Sequence, residues 1–279
     1  MVTDPSLLQL MRGGFSSAKL FRTIAVMLYI GAILLGVVTT ISGHALLVIL
    51  APFIMSILHG LSFVTENVSR VERSRAEAVR RALLLEDGLA WPVSPREEAN
   101  LRAEASYFAL ELARRADISP YYASSRPEGP ERLLEHVSES IYFTRHIARS
   151  ASHWLLSASI LVALGGISAL VFAILAVSQR DVQIAIAKAA ISILLIAAAS
   201  PPLQDAVAFG RLSNKSANLD EQAEKMKYAQ ISIESVLKLV YTYDCARLGA
   251  PLLPGLIYRH KRARLNTLWQ RRIGRDKER

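Results

Sequence analysis

The sequence predicts an all-α integral membrane protein of two transmembrane helical hairpins, four spans in all, joined to a cytoplasmic helical module. Three observations predict it. Hydrophobic residues make up 52% of the 279 and charged residues only 20%, a balance that excludes collagen-like, disulfide-scaffold and wholly disordered chains. The charge is also segregated: no Asp, Glu, Lys or Arg lies between Arg22 and Glu66, a gap of 43 residues, or between Arg149 and Arg180, a gap of 30. A soluble surface helix keeps charge on its wet face, so such gaps read as membrane spans. Outside the gaps apolar residues recur at helical spacing, and nothing reads as strand-rich.

Residues 1–22 form a cytoplasmic N-terminal segment, and residues 23–64 the first hairpin. As one helix its apolar stretch would run roughly 65 Å, about twice the hydrocarbon core, so it must turn once. Ser42-Gly43-His44 is the turn, giving spans Thr23–Ile41 and Ala45–Val64. Pro52 removes one backbone donor from the second span and is expected to kink it. No secretory signal is expected, because the apolar stretch starts after Arg22 and another span follows at once.

Residues 65–153 read as a cytoplasmic helical region. One apolar stripe is Leu101, Ala105, Phe108 and Leu112; a second is Leu134, Val137, Ile141, Thr144 and Ala148. Ser119 to Pro130 holds three Pro and one Gly and therefore reads as a turn or loop. The second hairpin, 154–200, comprises Trp154–Ser178, the polar turn Gln179-Arg180-Asp181, and a weaker span Val182–Ser200 closed by Pro201-Pro202.

The remainder, 201–279, is a cytoplasmic helical basic tail. Within it Leu219, Met226, Ile233 and Val240 repeat every seven residues, with Ala229, Val236 and Tyr243 three residues after the last three. That pattern predicts a coiled-coil-like contact, and Met226, Ile233 and Val240 are the candidate contacts of a homo-oligomer. The two halves share a plan, a hairpin then a charged amphipathic helix, without a residue-level repeat.

Orientation follows from counting. Lys and Arg number three up to Arg22, 13 in the central region and 15 after Pro202, whereas the two turns hold only Arg180. The positive-inside rule puts both turns outside and both termini in the cytoplasm. The net charge of +9 is then explained by topology and anionic lipid rather than nucleic acid. The run Tyr258 to Arg264 reads as a juxtamembrane basic cluster for lipid or a partner surface. A single cysteine, Cys245, allows no intrachain disulfide and no paired-Cys zinc site.

Chemistry-bearing motifs are sparse. The six histidines, at 44, 59, 136, 146, 153 and 260, have no metal-site spacing, and no metal or cofactor is expected. No phosphate loop or catalytic arrangement stands out, so no enzyme activity is expected. His59 reads as a helix-interface residue rather than a proton relay, and Gly165-Gly166 as a close helix contact. Gln183 and Lys188, polar within the fourth span, are candidate pore-lining residues; the alternative for Lys188 is snorkelling to the headgroups. Tyr121, Tyr122, Arg126 and Arg132 are candidates for a phosphorylated ligand, Arg as bidentate donor and Tyr as stacking face; the alternative is a structured connector.

The layout, with Glu72-Arg73-Ser74-Arg75-Ala76-Glu77, Leu85-Glu86-Asp87-Gly88-Leu89-Ala90-Trp91-Pro92, Tyr243-Asp244 to Arg247, then Pro251, Pro254, Tyr258 and Arg262, resembles a bacterial family. This is the four-transmembrane effector family associated with nucleotide-second-messenger synthases of anti-phage defence systems. The resemblance implies a regulated inner-membrane effector that forms a pore or perturbs the membrane on infection, with a cyclic nucleotide or other nucleotide as activator. The alternatives are a small housekeeping channel or transporter, or a non-conducting membrane scaffold that recruits a partner through its cytoplasmic helices. The topology is directly testable: reporter fusions at Gly43 and Arg180 should map outside, and at Gly129 and after Arg279 inside. A cytoplasmic signal at Gly43 overturns the hairpin.

Overall fold

The computed structural model describes residues 5–42, 45–119, 121–122, 124, 126–176, 179–180, 182–184, 186–188, 190–191, 201–228 and 231–277. No strand occurs among them. The helices are α1 (Leu7–Ser42), α2 (Ala45–Leu89), α3 (Pro95–Ala103), α4 (Tyr107–Arg114), α5 (Pro130–Ala176), α6 (Pro201–Lys227), α7 (Ile233–Leu248) and α8 (Gly255–Lys277). α1, α2 and α5 are each long and apolar enough to cross a membrane, so among the described residues three helices qualify rather than four. The expected fourth span, Val182–Ser200, falls largely outside the described residues, as do Gly43, His44 and Asp181 of the two expected turns. Pro201 and Pro202 open α6, where a missing N–H costs nothing.

The chain divides into two compact units. The apolar unit comprises residues 20–69 and 152–207. Only 6% of the most apolar stretches of α2 and α5, and 11% of that of α1, is buried. In water this exposure would be ruinous; against lipid tails it is the expected state. Small residues and polar ties join its helices. Ala25, Ala32 and Ala51 are buried, a Cβ on Gly36 would sit 3.2 Å from Met55, and Ser62 Oγ donates to the Ala25 carbonyl at 2.8 Å. His59 meets the Tyr29 ring edge-on at 5.6 Å, in keeping with its packing role. Pro52 leaves α2 unbroken. Of the Gly165-Gly166 pair, Gly165 has open space where a Cβ would stand among the described residues, and Gly166 is buried.

The polar unit comprises residues 1–19, 70–151 and 208–279. Its main core joins Leu84 of α2, Leu133, Leu134, Val137 and Ile141 of α5, Leu219 and Ala223 of α6, and Val236, Leu239, Val240 and Tyr243 of α7. The stripe Leu134, Val137, Ile141, Thr144 and Ala148 is buried throughout, as its period predicts. Two expected elements are corrected. The Leu101–Leu112 stripe is split between α3 and α4 because Ser106 caps α4, accepting from the Ala109 N–H, and Phe108 faces outward. The seven-residue repeat is likewise interrupted between α6 and α7 by Ser232, whose side chain accepts from the Ser235 N–H. Val240, 4% exposed, lies in the chain's own core; Met226 packs partly on it; Ile233, 40% exposed, does not. Ala229 lies outside the described residues.

α1 crosses α4 at Gly13 so closely that a Cβ there would lie 2.3 Å from the Ala109 carbonyl oxygen and 2.6 Å from the Ala113 nitrogen. Gly13→Ala should therefore destabilise the protein by about 1–3 kcal/mol in thermal unfolding. Gly274→Ala, also in a helix but with nothing within 4 Å, should leave stability unchanged or raise it by up to about 1 kcal/mol.

Candidate functional site

The residues that carry chemistry gather in the polar unit, around two features. The first is a buried charge network. Arg80 of α2, 1% exposed, donates through Nε to Glu77 at 2.6 Å and through Nη2 to Asp244 of α7. Arg81 donates to the other Asp244 oxygen at 2.8 Å, and Arg247 pairs with Glu77 at 2.7 Å. Arg73 donates to the Arg247 and Ala250 carbonyls at the end of α7, and Tyr243 lies under both the Arg80 and Arg247 guanidinium groups. Burial pushes the Glu77 carboxyl up, but Arg247 and Arg80 outweigh it and hold the group below its ordinary value. The quoted stretches Glu72–Glu77 and Tyr243–Arg247 thus meet in space.

The second feature is a cavity of about 320 Å³ among α5, α6, the link into α7, and α8. Leu134, Ile231, Trp269 and Ile273 give it an apolar lining, with Tyr228 beside them. Its charged groups are Arg126, Glu131, Glu135 and Lys227. Arg126 pairs with Glu131 at 2.6 Å and Glu135 at 3.6 Å, and Lys227 with Glu224 at 3.3 Å. Two lining residues are buried with a polar atom that has no partner among the described residues: Ser138 Oγ and Trp269 Nε1. Each unmatched atom costs roughly 1–3 kcal/mol in the packed wall of the cavity. Its size is that of a small-molecule site.

The four residues expected to bind a phosphorylated ligand stay neighbours in pairs, Tyr121 with Tyr122 and Arg126 with Arg132, but face different surroundings. Arg126 lines the cavity. Tyr122 is enclosed, stacked on His136 at 4.2 Å, and burial pushes its phenol well above the ordinary value. Tyr121 meets Tyr122 edge-on at 4.7 Å and is exposed. Arg132 is committed to Asp87 of α2 and to the Arg126 carbonyl at 3.3 Å, in the manner of a structured connector. Pro120, Ala123 and Ser125 of that segment lie outside the described residues. In the apolar unit Gln183 is half-buried and Lys188 exposed. Sequence reasoning missed Ser138, Lys227 and Trp269 because they stand up to 131 positions apart and share no local motif; a lone tryptophan in a basic tail was the one available signal. Among the described residues no group of His, Cys, Asp and Glu is placed to hold a metal ion.

His136 is buried, and its Nε2 lies 2.7 Å from Asp87. Burial holds its pKa below the ordinary value, against the pull of Asp87. The unfolded chain therefore takes up the proton first, and stability should begin to fall as pH drops below about 6.5. Glu77 adds a second loss at lower pH: its stabilisation is full above the ordinary carboxylate range and disappears as pH falls through its depressed value. Unfolding measured against pH should show both arms, and His136→Gln should remove the upper one. Ser138→Ala, which deletes an unmatched buried hydroxyl, should raise stability by roughly 1 kcal/mol. No family model matches the chain, and no curated protein or solved structure matches it.

Proposed function

We propose that the protein is a regulated inner-membrane effector, oligomeric when active, that opens a pore or perturbs the bilayer when a small ligand occupies the cavity of the polar unit. The observation that carries this reading is α5. One helix of 47 residues supplies Glu131, Leu134, Glu135 and Ser138 to the cavity and, from Trp154 onward, an apolar stretch suited to lipid. Occupancy that shifts α5 at one end has a direct covalent route to the other. The likeness to anti-phage effectors supports infection as the trigger and a nucleotide as the ligand class, with abortive infection as the outcome.

Four thin spans enclose no wide aqueous path, because a four-helix interior is filled by side chains. Conduction therefore requires several copies, with Gln183 and Lys188 turned toward a shared axis and a cationic lining that favours anions. A voltage-sensitive dye in cells producing the protein with its operon partners tests the reading. Triggered cells should depolarise; Ser138→Leu, which fills the cavity, should keep the protein in the membrane but abolish the response. Lys188→Leu should change ion preference in liposomes. An intact potential during growth arrest excludes the pore.

A further inference from the structure

The run Tyr258 to Arg264 takes no part in the buried network or the cavity. In α8 it presents Arg259, His260, Arg262 and Arg264 as exposed side chains, and among the described residues no carboxylate pairs with any of the three arginines. One turn before them Leu256 is 80% exposed, the most exposed large hydrophobic residue among the described residues. Tyr258 stands between, partly exposed, with the Arg262 guanidinium over its ring at 5.9 Å.

The contacts of this end of α8 fix where it lies within the polar unit. A Cβ on Gly255 would touch the Lys19 stem at 3.9 Å, and Lys261 donates to Ser150 Oγ. Lys19 precedes Thr23, the start of the first apolar stretch, by four residues of α1; Ser150 precedes Trp154, the start of the third, by four residues of α5. Four helical residues span about 6 Å, about the depth of a headgroup layer on one side of a bilayer. The N-terminal turns of α8 therefore pack against residues that lie about one helical turn before the apolar stretches of α1 and α5. An apolar side chain, an amphipathic ring and a cluster of unpaired guanidinium groups is the composition that sits in that layer.

We propose that the N-terminal turns of α8 form an interfacial site for anionic phospholipid headgroups: Arg259 and Arg262 hold phosphate oxygens, and Leu256 enters the acyl boundary. Arginine suits phosphate because its planar fork donates two parallel hydrogen bonds. The inference rests on the membrane reading of the apolar stretches and not on conduction.

The test uses the full chain with Cys245→Ser, so that a single introduced cysteine carries an environment-sensitive fluorophore. Leu256→Cys is the reporter and Leu161→Cys, in the α5 apolar stretch, is the control. Both are reconstituted in phosphatidylcholine vesicles with and without phosphatidylglycerol. The Leu161 label should report hydrocarbon in both; if it reports water, the membrane reading itself fails. The Leu256 label should move to an apolar environment and become quenched by shallow brominated lipid when phosphatidylglycerol is present. Arg259→Gln with Arg262→Gln should lower the ratio of apolar to aqueous label in phosphatidylglycerol vesicles by roughly tenfold, while the Leu161 signal stays unchanged. Added inorganic phosphate should not reproduce the change. A Leu256 label that stays in water in anionic vesicles, or an unaltered lipid response in the double variant, overturns the proposal.

Discussion

Arg80 is the group on which the polar unit depends. A guanidinium 1% exposed cannot stand alone in a protein interior, and its neighbours are arranged accordingly: Glu77 one turn earlier on the same helix, Asp244 on α7, Tyr243 beneath it. Those partners bring in others, since Asp244 also binds Arg81 and Glu77 also binds Arg247. The result is two acids facing two buried or largely buried cations, between α2 and α7, which are separated by more than 140 residues of chain. A buried ion network of this kind adds little net stability compared with a well-packed apolar replacement. Its expected effect is on specificity, since these pairs tie α7 to one position along α2, and Arg73 binds the end of α7 as well.

That constraint explains what could be read from the sequence. Helices were legible because their signals are local: charge-free stretches in α1, α2 and α5, and the Leu134–Ala148 stripe, whose period alone gives its buried face. Breaks at Ser106 and Ser232 were not, since each depends on one side chain closing on a backbone N–H inside an otherwise regular pattern. A period of seven continued across Ser232 because Val236, Val240 and Tyr243 are periodic for a different reason: they face the intramolecular core. The charge network was legible only as two motifs with no visible relation. Pairing Glu77 with Arg247 requires the fold.

The candidate ligand segment shows the same limit. Tyrosine and arginine around a Pro-rich turn have identical appearance whether they bind a ligand or pin a connector, and the difference lies in what the rest of the chain offers them. Asp87 claims Arg132, His136 receives Tyr122, and Arg126 alone is left facing a cavity. The cavity wall, with unmatched buried polar atoms on Ser138 and Trp269, has no counterpart in sequence, because a hydroxyl or indole is unremarkable until its surroundings are known.

A double-mutant cycle on Arg80 and Asp244, read by unfolding of the full chain in detergent, tests the organising role of the network most directly. Arg80→Met alone should cost about 3 kcal/mol by removing one of the two cations that each buried carboxylate holds, and Asp244→Leu alone should also be costly. Together they should cost clearly less than the sum, with a coupling of about 1–3 kcal/mol. Costs that add to within about 0.5 kcal/mol would mean that the two residues act independently, and that apolar packing alone sets the register of α7.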